Sequence, residues 1–160
     1  NGDGLIGFEG VVGNGVRRTT TRLLEGDFPR VRQLFAAQAE TVAYVGTQTF
    51  IDAVKRVALV AERNTPVRLS FADGQLLLEA GSGDEAQASE SIEATIDGND
   101  ISIGFNPSYL LEGLSVMSEP VVHLSFTQHT KPAAMSGVAE IGADPDGAFR
   151  YLIMPVRLQN

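Results

Sequence analysis

The sequence has 160 residues, of which 12 are basic and 20 acidic, and its formal net charge of −8 argues against wholesale, phosphate-neutralising attachment to nucleic acid. This length can hold one full domain with a sizeable core and part of another. The chain has no cysteine, no long apolar run and no signal-like start, so we expect a cytoplasmic protein with no membrane partner.

The first 26 residues predict a β-hairpin. The segments 5–12 and 16–24 are extended patterns joined around Gly13-Asn14-Gly15, and Asn-Gly between two such runs is a strong hairpin signal. A phosphate-binding loop does not fit these glycines, because strands flank them on both sides instead of a strand and a helix N-terminus. The start, Asn1-Gly2-Asp3-Gly4, lacks an initiator Met and resembles a turn entered in mid-protein, so we expect a fragment.

Residues 27–40 contain Pro29, alternating arginines and small residues, which is typical of an interdomain linker. From residue 41 onward, the pattern of elements repeats. Two βαβββ units in one domain predict an α+β fold in which both helices pack on antiparallel sheets. The predicted strands and helices of the first unit are 42–45, helix 49–63, 67–71, 75–79 and 89–96, and those of the second are 101–105, helix 106–117, 121–126, 132–138 and 149–154.

The first helix has an apolar face and an opposite charged face that contains Lys55, Arg56 and Arg63. Such a charged face is ordinarily only solvated, and Asp52 is spaced to pair with Lys55 or Arg56. Leu59 falls in the middle of the charged arc, where one exposed leucine usually has no consequence. The second helix has Asn106 as its predicted N-cap, and its polar face carries no cation.

The sequence contains few candidates for catalytic or metal-binding residues. His123 and His129 are the only histidines; the sequence offers no metal-binding pair, and Ser125 has no evident acid partner. The acidic turns 82–85 and 144–147 lack the spacing of a calcium loop. We therefore expect no enzyme activity, no metal and no cofactor.

The C-terminal segment 149–154 predicts a strand buried on both faces, and Pro155 should end it because proline cannot donate to a sheet. Residues 156–158 should then lie across the surface as an apolar tail. The residues themselves leave two interpretations open: the tail completes the core, or it forms a pocket for a partner.

Three motifs in order resemble the bacterial sliding clamp, the β subunit of the replicative DNA polymerase. They are EGDFPRVR at 25–32, IGFNPSYL at 103–110 and YLIMPVRL at 151–158, and together they span nearly the whole chain. The resemblance implies a DNA-clamp fold. The same resemblance implies that residues 1–26 are the last strands of an incomplete middle domain, that 27–40 are the linker, and that 41–160 are the C-terminal clamp domain.

The resemblance also implies a processivity factor and not an enzyme. Clamp protomers close into a homodimeric ring around duplex DNA without sequence preference, and short peptides of the replicative polymerase, the clamp loader and repair proteins dock in a groove. The fragment alone would not form the ring. An acidic protein can still encircle DNA if its few cations face inward.

Site residues follow from the same resemblance. The peptide groove is predicted to contain Pro29, Gln33, Leu34, Thr130, Pro132, Leu152, Ile153, Met154, Pro155, Val156, Arg157 and Leu158. The DNA channel would contain Lys55, Arg56 and Arg63, and the dimer interface Leu59 and Val60. The competing prediction is a generic α+β protein-interaction domain with no DNA role, whose tail packs on its own core.

Overall fold

A computed structural model describes residues 4–27, 30–35, 38–61, 65–81, 86–145 and 149–158, with the backbone alone for residues 32 and 33. The chain divides into two compact units, Asn1–Val31 and Arg32–Asn160.

The first unit contains the predicted hairpin. Strand β1, Leu5–Val12, pairs antiparallel with β2, Gly15–Arg22. Gly13 in the turn has φ of 58°, a backbone conformation that glycine adopts at little cost. Across the strands, Arg18 Nε donates to Glu9 Oε2. The second strand ends at Arg22, two residues earlier than the sequence predicts.

The second unit contains the repeated elements. They are α1 Arg32–Phe35, β3 Thr41–Gly46, α2 Thr47–Ala58, β4 Val67–Ala72, β5 Gln75–Ala80, β6 Ala88–Glu93, β7 Thr95–Gly98, β8 Ile101–Phe105, α3 Pro107–Ser115, β9 Val121–Phe126, β10 Ala133–Val138 and β11 Tyr151–Ile153.

Two antiparallel sheets form this unit, in the orders β11-β10-β9-β3-β7 and β6-β5-β4-β8. The first strand of each repeat pairs within the sheet of the other repeat: β3 lies beside β9, and β8 lies beside β4. The α+β fold of two repeats with antiparallel sheets is therefore confirmed, with each repeat contributing to both sheets.

The predicted strand 89–96 was wrong as one strand, because the chain changes sheets at Ala94. β6 pairs with β5 in one sheet, whereas β7 pairs with β3 in the other. Ala94 is buried between them, and its N–H donates to the Gly74 carbonyl at 3.0 Å. Local composition gives no signal for such a bend, since both halves have strand-like patterns.

The helices position the core. Phe50, Ala53, Val54 and Val57 of α2 are fully buried at helical spacing, as are Leu110 and Leu114 of α3. α2 is shorter than predicted and ends at Ala58. α3 begins as predicted: Pro107 is its first residue, and the Asn106 side chain accepts a hydrogen bond from Ser108 N at 2.9 Å.

The two sheets contact each other through the same core. The rings of Phe71 on β4 and Phe126 on β9, which belong to different sheets, have centroids 5.1 Å apart. No buried side-chain nitrogen or oxygen among the described residues lacks a hydrogen-bond partner.

Candidate functional site at the C-terminal tail

The site begins at β11, which is the edge strand of the five-stranded sheet. β11 has three residues and pairs only with β10. Ile153 is buried, but Tyr151 and Leu152 are half-buried, and Phe149 and Met154 are exposed. The prediction of a strand buried on both faces over 149–154 was therefore wrong. Because β11 is an edge strand, its outer side leaves backbone groups without a strand partner among the described residues, and no further strand covers the flanks of its side chains.

Helix α3 holds this edge strand in place. The Tyr151 hydroxyl donates to the Tyr109 carbonyl at 3.0 Å. The Tyr151 ring lies over Gly113: a Cβ atom at that glycine would come within 2.6 Å of Tyr151 Cδ1. Burial, and secondarily the nearby Glu112 carboxylate, raises the pKa of Tyr151.

After Pro155 the tail crosses to the other sheet. Val156 N donates to the Gly104 carbonyl of β8 at 2.8 Å and forms an isolated antiparallel bridge. The Leu158 side chain covers Gly104, since a Cβ there would lie 2.6 Å from Leu158 Cδ2. The tail thus joins an edge strand of one sheet to an edge strand of the other.

A hollow of about 630 Å³ lies between the tail and β8, and we call it the tail hollow. It is lined by Arg68, Ser102, Ile103, Gly104, His129, Thr130, Pro155, Val156, Arg157 and Leu158. Five of these were predicted groove residues: Thr130 and the run 155–158. The others come from β4, β8 and the turn after β9. Sequence reasoning missed them, although a glycine inside a strand, such as Gly104, signals close approach of another backbone.

A second hollow of about 340 Å³, which we call the loop hollow, is lined by the two ends of the segment 127–132, whereas residues 129 and 130 of that segment line the tail hollow. It is lined by Leu34, Phe35, Ala39, Ser125, Phe126, Thr127, Gln128, Lys131, Pro132 and Ala134. Two predicted groove residues, Leu34 and Pro132, line it. The predicted groove residues that line a hollow are therefore divided between two hollows, which have no described lining residue in common.

Of the remaining predicted groove residues, the three whose side chains the structure describes line neither hollow. Leu152 is half-buried, Ile153 belongs to the core, and Met154 is 62% exposed beside the tail. Pro29 and the side chain of Gln33 lie outside the described residues.

The charged face of α2 is less cationic than its sequence indicates. Arg56 forms a two-point salt bridge with Glu90 of β6, with Nε donating to Oε2 at 2.9 Å and Nη2 donating to Oε1. The hydrogen bond from Arg56 holds the pKa of Glu90 below its ordinary value, and the same contact raises the pKa of Arg56. Lys55 is exposed, and within the described part of the chain it makes no salt bridge. Arg63 lies outside the described residues.

The two predicted interface residues differ in exposure. Leu59, which follows α2, is 85% exposed. Val60 is half-buried and packs against the core. Most of the Leu59 side chain is therefore accessible from outside the domain, whereas little of the Val60 side chain is.

His123 packs against an aromatic side chain of the neighbouring strand. It is half-buried on β9, and its ring packs edge-on against Tyr44 of β3 with centroids 5.2 Å apart. Burial lowers its pKa, which keeps the imidazole neutral at pH 7. Across the described ranges, no three His, Asp or Glu side chains are grouped so as to hold a metal ion. No helix in the described part of the chain is long and apolar enough to cross a membrane.

Comparison with known proteins identifies the family. Residues 32–157 match the family model described as the DNA polymerase III beta subunit, C-terminal domain. A beta sliding clamp of Streptomyces coelicolor is 60% identical over 157 residues, which cover 98% of this chain and 41% of that protein. The chain thus spans about two fifths of that relative's length.

Solved structures agree with the fold. A DNA polymerase III subunit beta sliding clamp from Bartonella birtlesii superimposes with a TM-score of 0.78 at 27% identity, covering 95% of this chain and 42% of that chain. A sliding clamp from Pseudomonas aeruginosa bound to griselimycin superimposes with a TM-score of 0.74 at 24% identity, covering 89% and 39%. The extent of the family match and the identity to the Streptomyces protein lead to one conclusion: this chain belongs to the DNA polymerase III beta subunit family and contains its C-terminal domain.

Proposed function

We propose that the chain is the C-terminal part of a sliding clamp, a processivity factor that encircles duplex DNA and tethers the replicative polymerase. The observation that carries the proposal is the tail hollow, a concavity between the last described residues and the edge strand β8. The family assignment supports it. The role is mechanical and non-catalytic, and the proposed location is the cytoplasm.

The proposed domains are the end of a middle domain in residues 1–26, a linker in 27–40 and the C-terminal clamp domain in 41–160. The division of the chain into compact units after Val31 supports a boundary in this region. Polymerase, clamp-loader and repair proteins would dock through short peptides, and the full-length protein would act as a homodimeric ring.

The proposed groove comprises both hollows. Aliphatic or aromatic anchors of a peptide would bury against Leu34 and Pro132 in the loop hollow, and against Val156 and Leu158 in the tail hollow. Backbone groups near Pro155 would hydrogen-bond a glutamine side chain. Exposed or half-buried apolar residues beside polar backbone suit such a ligand, because burial supplies affinity and hydrogen bonds fix orientation. Pro29, Gln33, Thr130, Leu152, Ile153, Met154 and Arg157 remain part of the proposal.

Two further surfaces are proposed on α2 and the residues after it. Lys55 would face the duplex together with Arg63, and Arg56 would contribute less because Glu90 neutralises it. Leu59 would contact the partner protomer, with Val60 supporting it from below.

The test is deletion of residues 156–160, followed by titration with a synthetic peptide that carries glutamine, leucine and phenylalanine. The intact chain should bind with a dissociation constant of tens of micromolar or weaker, which corresponds to about 6 to 7 kcal/mol. The shortened chain should bind at least about tenfold more weakly, since one wall of the hollow is gone. Calorimetry or chemical-shift mapping measures both affinities.

Fold integrity separates this proposal from its competitor. Val156 and Leu158 are outside the buried core cluster, so the shortened chain should keep its cooperative thermal transition. Val156→Ala should weaken peptide binding, whereas Ile141→Ala, which trims an exposed apolar residue outside both hollows, should not. Unfolding after the deletion would favour a generic α+β interaction domain whose tail completes its own core.

A further inference from the structure

The tail hollow is positively charged on an acidic protein. The chain has 12 basic and 20 acidic residues, yet the described residues that line this hollow include Arg68 and Arg157 and none that is acidic. In an acidic chain, a hollow whose described lining has two guanidinium groups and no carboxylate differs in charge from the average surface.

Arg68 lies on the outer face of β4, half-buried, between Glu79 of β5 and Gly104 of β8. Although Glu79 is its cross-strand neighbour, the two form no salt bridge, and Arg68 has no other ion pair within the described ranges. Gly104 on the opposite side has no side chain, and Leu158 of the tail packs over it. Because Arg68 has no ion pair within the described ranges, its guanidinium donors are available to a ligand in the hollow that it lines.

Arg157 approaches the same hollow from the tail. The hydrogen bond from Val156 to Gly104 fixes the tail backbone over β8, and Arg157 is the next residue. It is exposed and also without a salt bridge among the described residues. The two arginines thus belong to opposite walls, one on the sheet and one on the tail.

We propose that the tail hollow accepts a carboxylate of the docking peptide and that Arg68 is a specificity-determining residue for it. This inference rests on the proposed function, because it names the chemistry of the peptide that the groove selects. An arginine presents its donors in a planar fork that matches both oxygens of a carboxylate. The apolar lining from Pro155, Val156 and Leu158 suits a peptide with apolar anchors better than a nucleic acid.

The experiment uses the 160-residue chain and a set of synthetic peptides built on one glutamine-, leucine- and phenylalanine-containing sequence. In a first series of pairs, one non-anchor position at a time carries either aspartate or asparagine. A further pair differs only at the C-terminus, which is either a free carboxylate or an amide. The carboxylate-bearing member should bind about two- to fivefold more tightly, as expected of a partly exposed charge contact, and the preference should shrink at high salt. A preference within an aspartate/asparagine pair identifies a side-chain carboxylate as the ligand, and a preference within the C-terminal pair identifies the terminal carboxylate.

Variants assign the preference to named residues. Arg68→Gln and Arg157→Gln should each reduce it, and Arg68→Lys should retain part of it, because a lysine keeps the charge and loses the fork. Arg150→Gln is the matched control, since it removes an equal charge from an exposed position that lines neither hollow. Thermal melting checks that each variant is folded, and the exposed Arg157 gives a second route if Arg68→Gln unfolds.

The possible results distinguish failure of the carboxylate inference from failure of the proposed peptide-binding function. Equal affinity for carboxylate and amide peptides, or a preference that persists in both glutamine variants, overturns the inference while peptide docking stands. Displacement of the peptide by a short oligonucleotide from the intact chain but not from Arg68→Gln also overturns it, in favour of a phosphate site. If no peptide binds the folded chain, the proposed function fails and the inference fails with it.

Discussion

At the scale of single residues, two glycines let neighbouring segments approach a strand or a helix. Gly104 on β8 lies under Leu158 of the tail, and Gly113 on α3 lies under the ring of Tyr151. Neither has a positive φ, so the reason for glycine is space and not backbone conformation. Both contacts involve the C-terminal segment. A side chain at either glycine would occupy space that this segment now fills, so the position of the site depends on glycine at both places.

Gly113→Ala tests the contact that places β11. The new Cβ would come within 2.7 Å of two atoms of the Tyr151 ring and 2.9 Å from Met135 Cε. Overpacking costs about 1 to 3 kcal/mol, against about 1 kcal/mol gained from the better helix propensity of alanine, so we expect a net destabilisation of about 1 kcal/mol. Urea denaturation measures the free energy of unfolding.

The control places the same substitution in a Tyr151→Ala background. Without the ring, the overpacking should be relieved, and Gly113→Ala should become neutral or stabilising. If the penalty is unchanged when the ring is removed, the contact that matters is not with Tyr151.

At the scale of elements, α2 has two different faces. One face is fully buried and packs against α3 and strands of both sheets. The other carries Lys55, which is exposed, and Arg56, which is bound to Glu90. The two adjacent cations therefore differ in their availability to bind a phosphate: Lys55 is open to solvent, whereas Arg56 already has an anionic partner.

This difference predicts unequal effects on the proposed DNA contact. Lys55→Gln should weaken binding of duplex DNA at low salt, and Arg56→Gln should change it less, because that charge is already neutralised. Glu90→Gln should strengthen binding by releasing Arg56. Fluorescence anisotropy with a labelled duplex, repeated over a series of salt concentrations, compares the three variants.

Each of the first two variants removes one positive charge, so net charge alone predicts the same loss for both. Equal effects of Lys55→Gln and Arg56→Gln would therefore mean that only overall charge matters and that the pairing with Glu90 is irrelevant to DNA.

At the scale of the whole molecule, the two compact units differ in their cores. Every residue of the buried core cluster lies between Ala43 and Ile153. In the first unit, all described residues are exposed, and the exposed large apolar side chains of the hairpin are Leu5, Ile6, Phe8, Val11, Val12 and Val16. An isolated two-stranded hairpin is marginally stable, and an apolar surface of this kind favours association.

We therefore predict that residues 32–160 fold when residues 1–31 are removed. The melting temperature should stay within about 4 °C, which is the shift that about 1 kcal/mol causes in a domain of this size. Self-association should decrease, because the apolar hairpin is gone. Differential scanning fluorimetry and sedimentation velocity measure the two quantities.

Phe8→Ser in the complete chain is the matched control, since it removes exposed apolar surface and leaves the core intact. It should lower self-association and leave the melting temperature unchanged. A large loss of thermal stability in the 32–160 chain would show that the hairpin stabilises the second unit.

The sequence by itself determined the local features of this protein. The Gly13-Asn14-Gly15 turn, the Asn106 cap and the existence of almost every strand follow from turn chemistry, capping and periodicity, which act over a few residues. The three motifs were sufficient to identify the family. Pro155 also correctly marked the end of the last strand, because the missing N–H is a property of one residue.

Only the tertiary structure decided how these features combine. The exchange of β3 and β8 between sheets, the bend at Ala94 and the edge position of β11 depend on contacts between distant segments, which local patterns do not encode. The same holds for Arg68, which meets the tail because β4 pairs with β8 and β8 bonds Val156. A site built from three such segments is set by their packing, so its cationic wall becomes visible only in the folded chain.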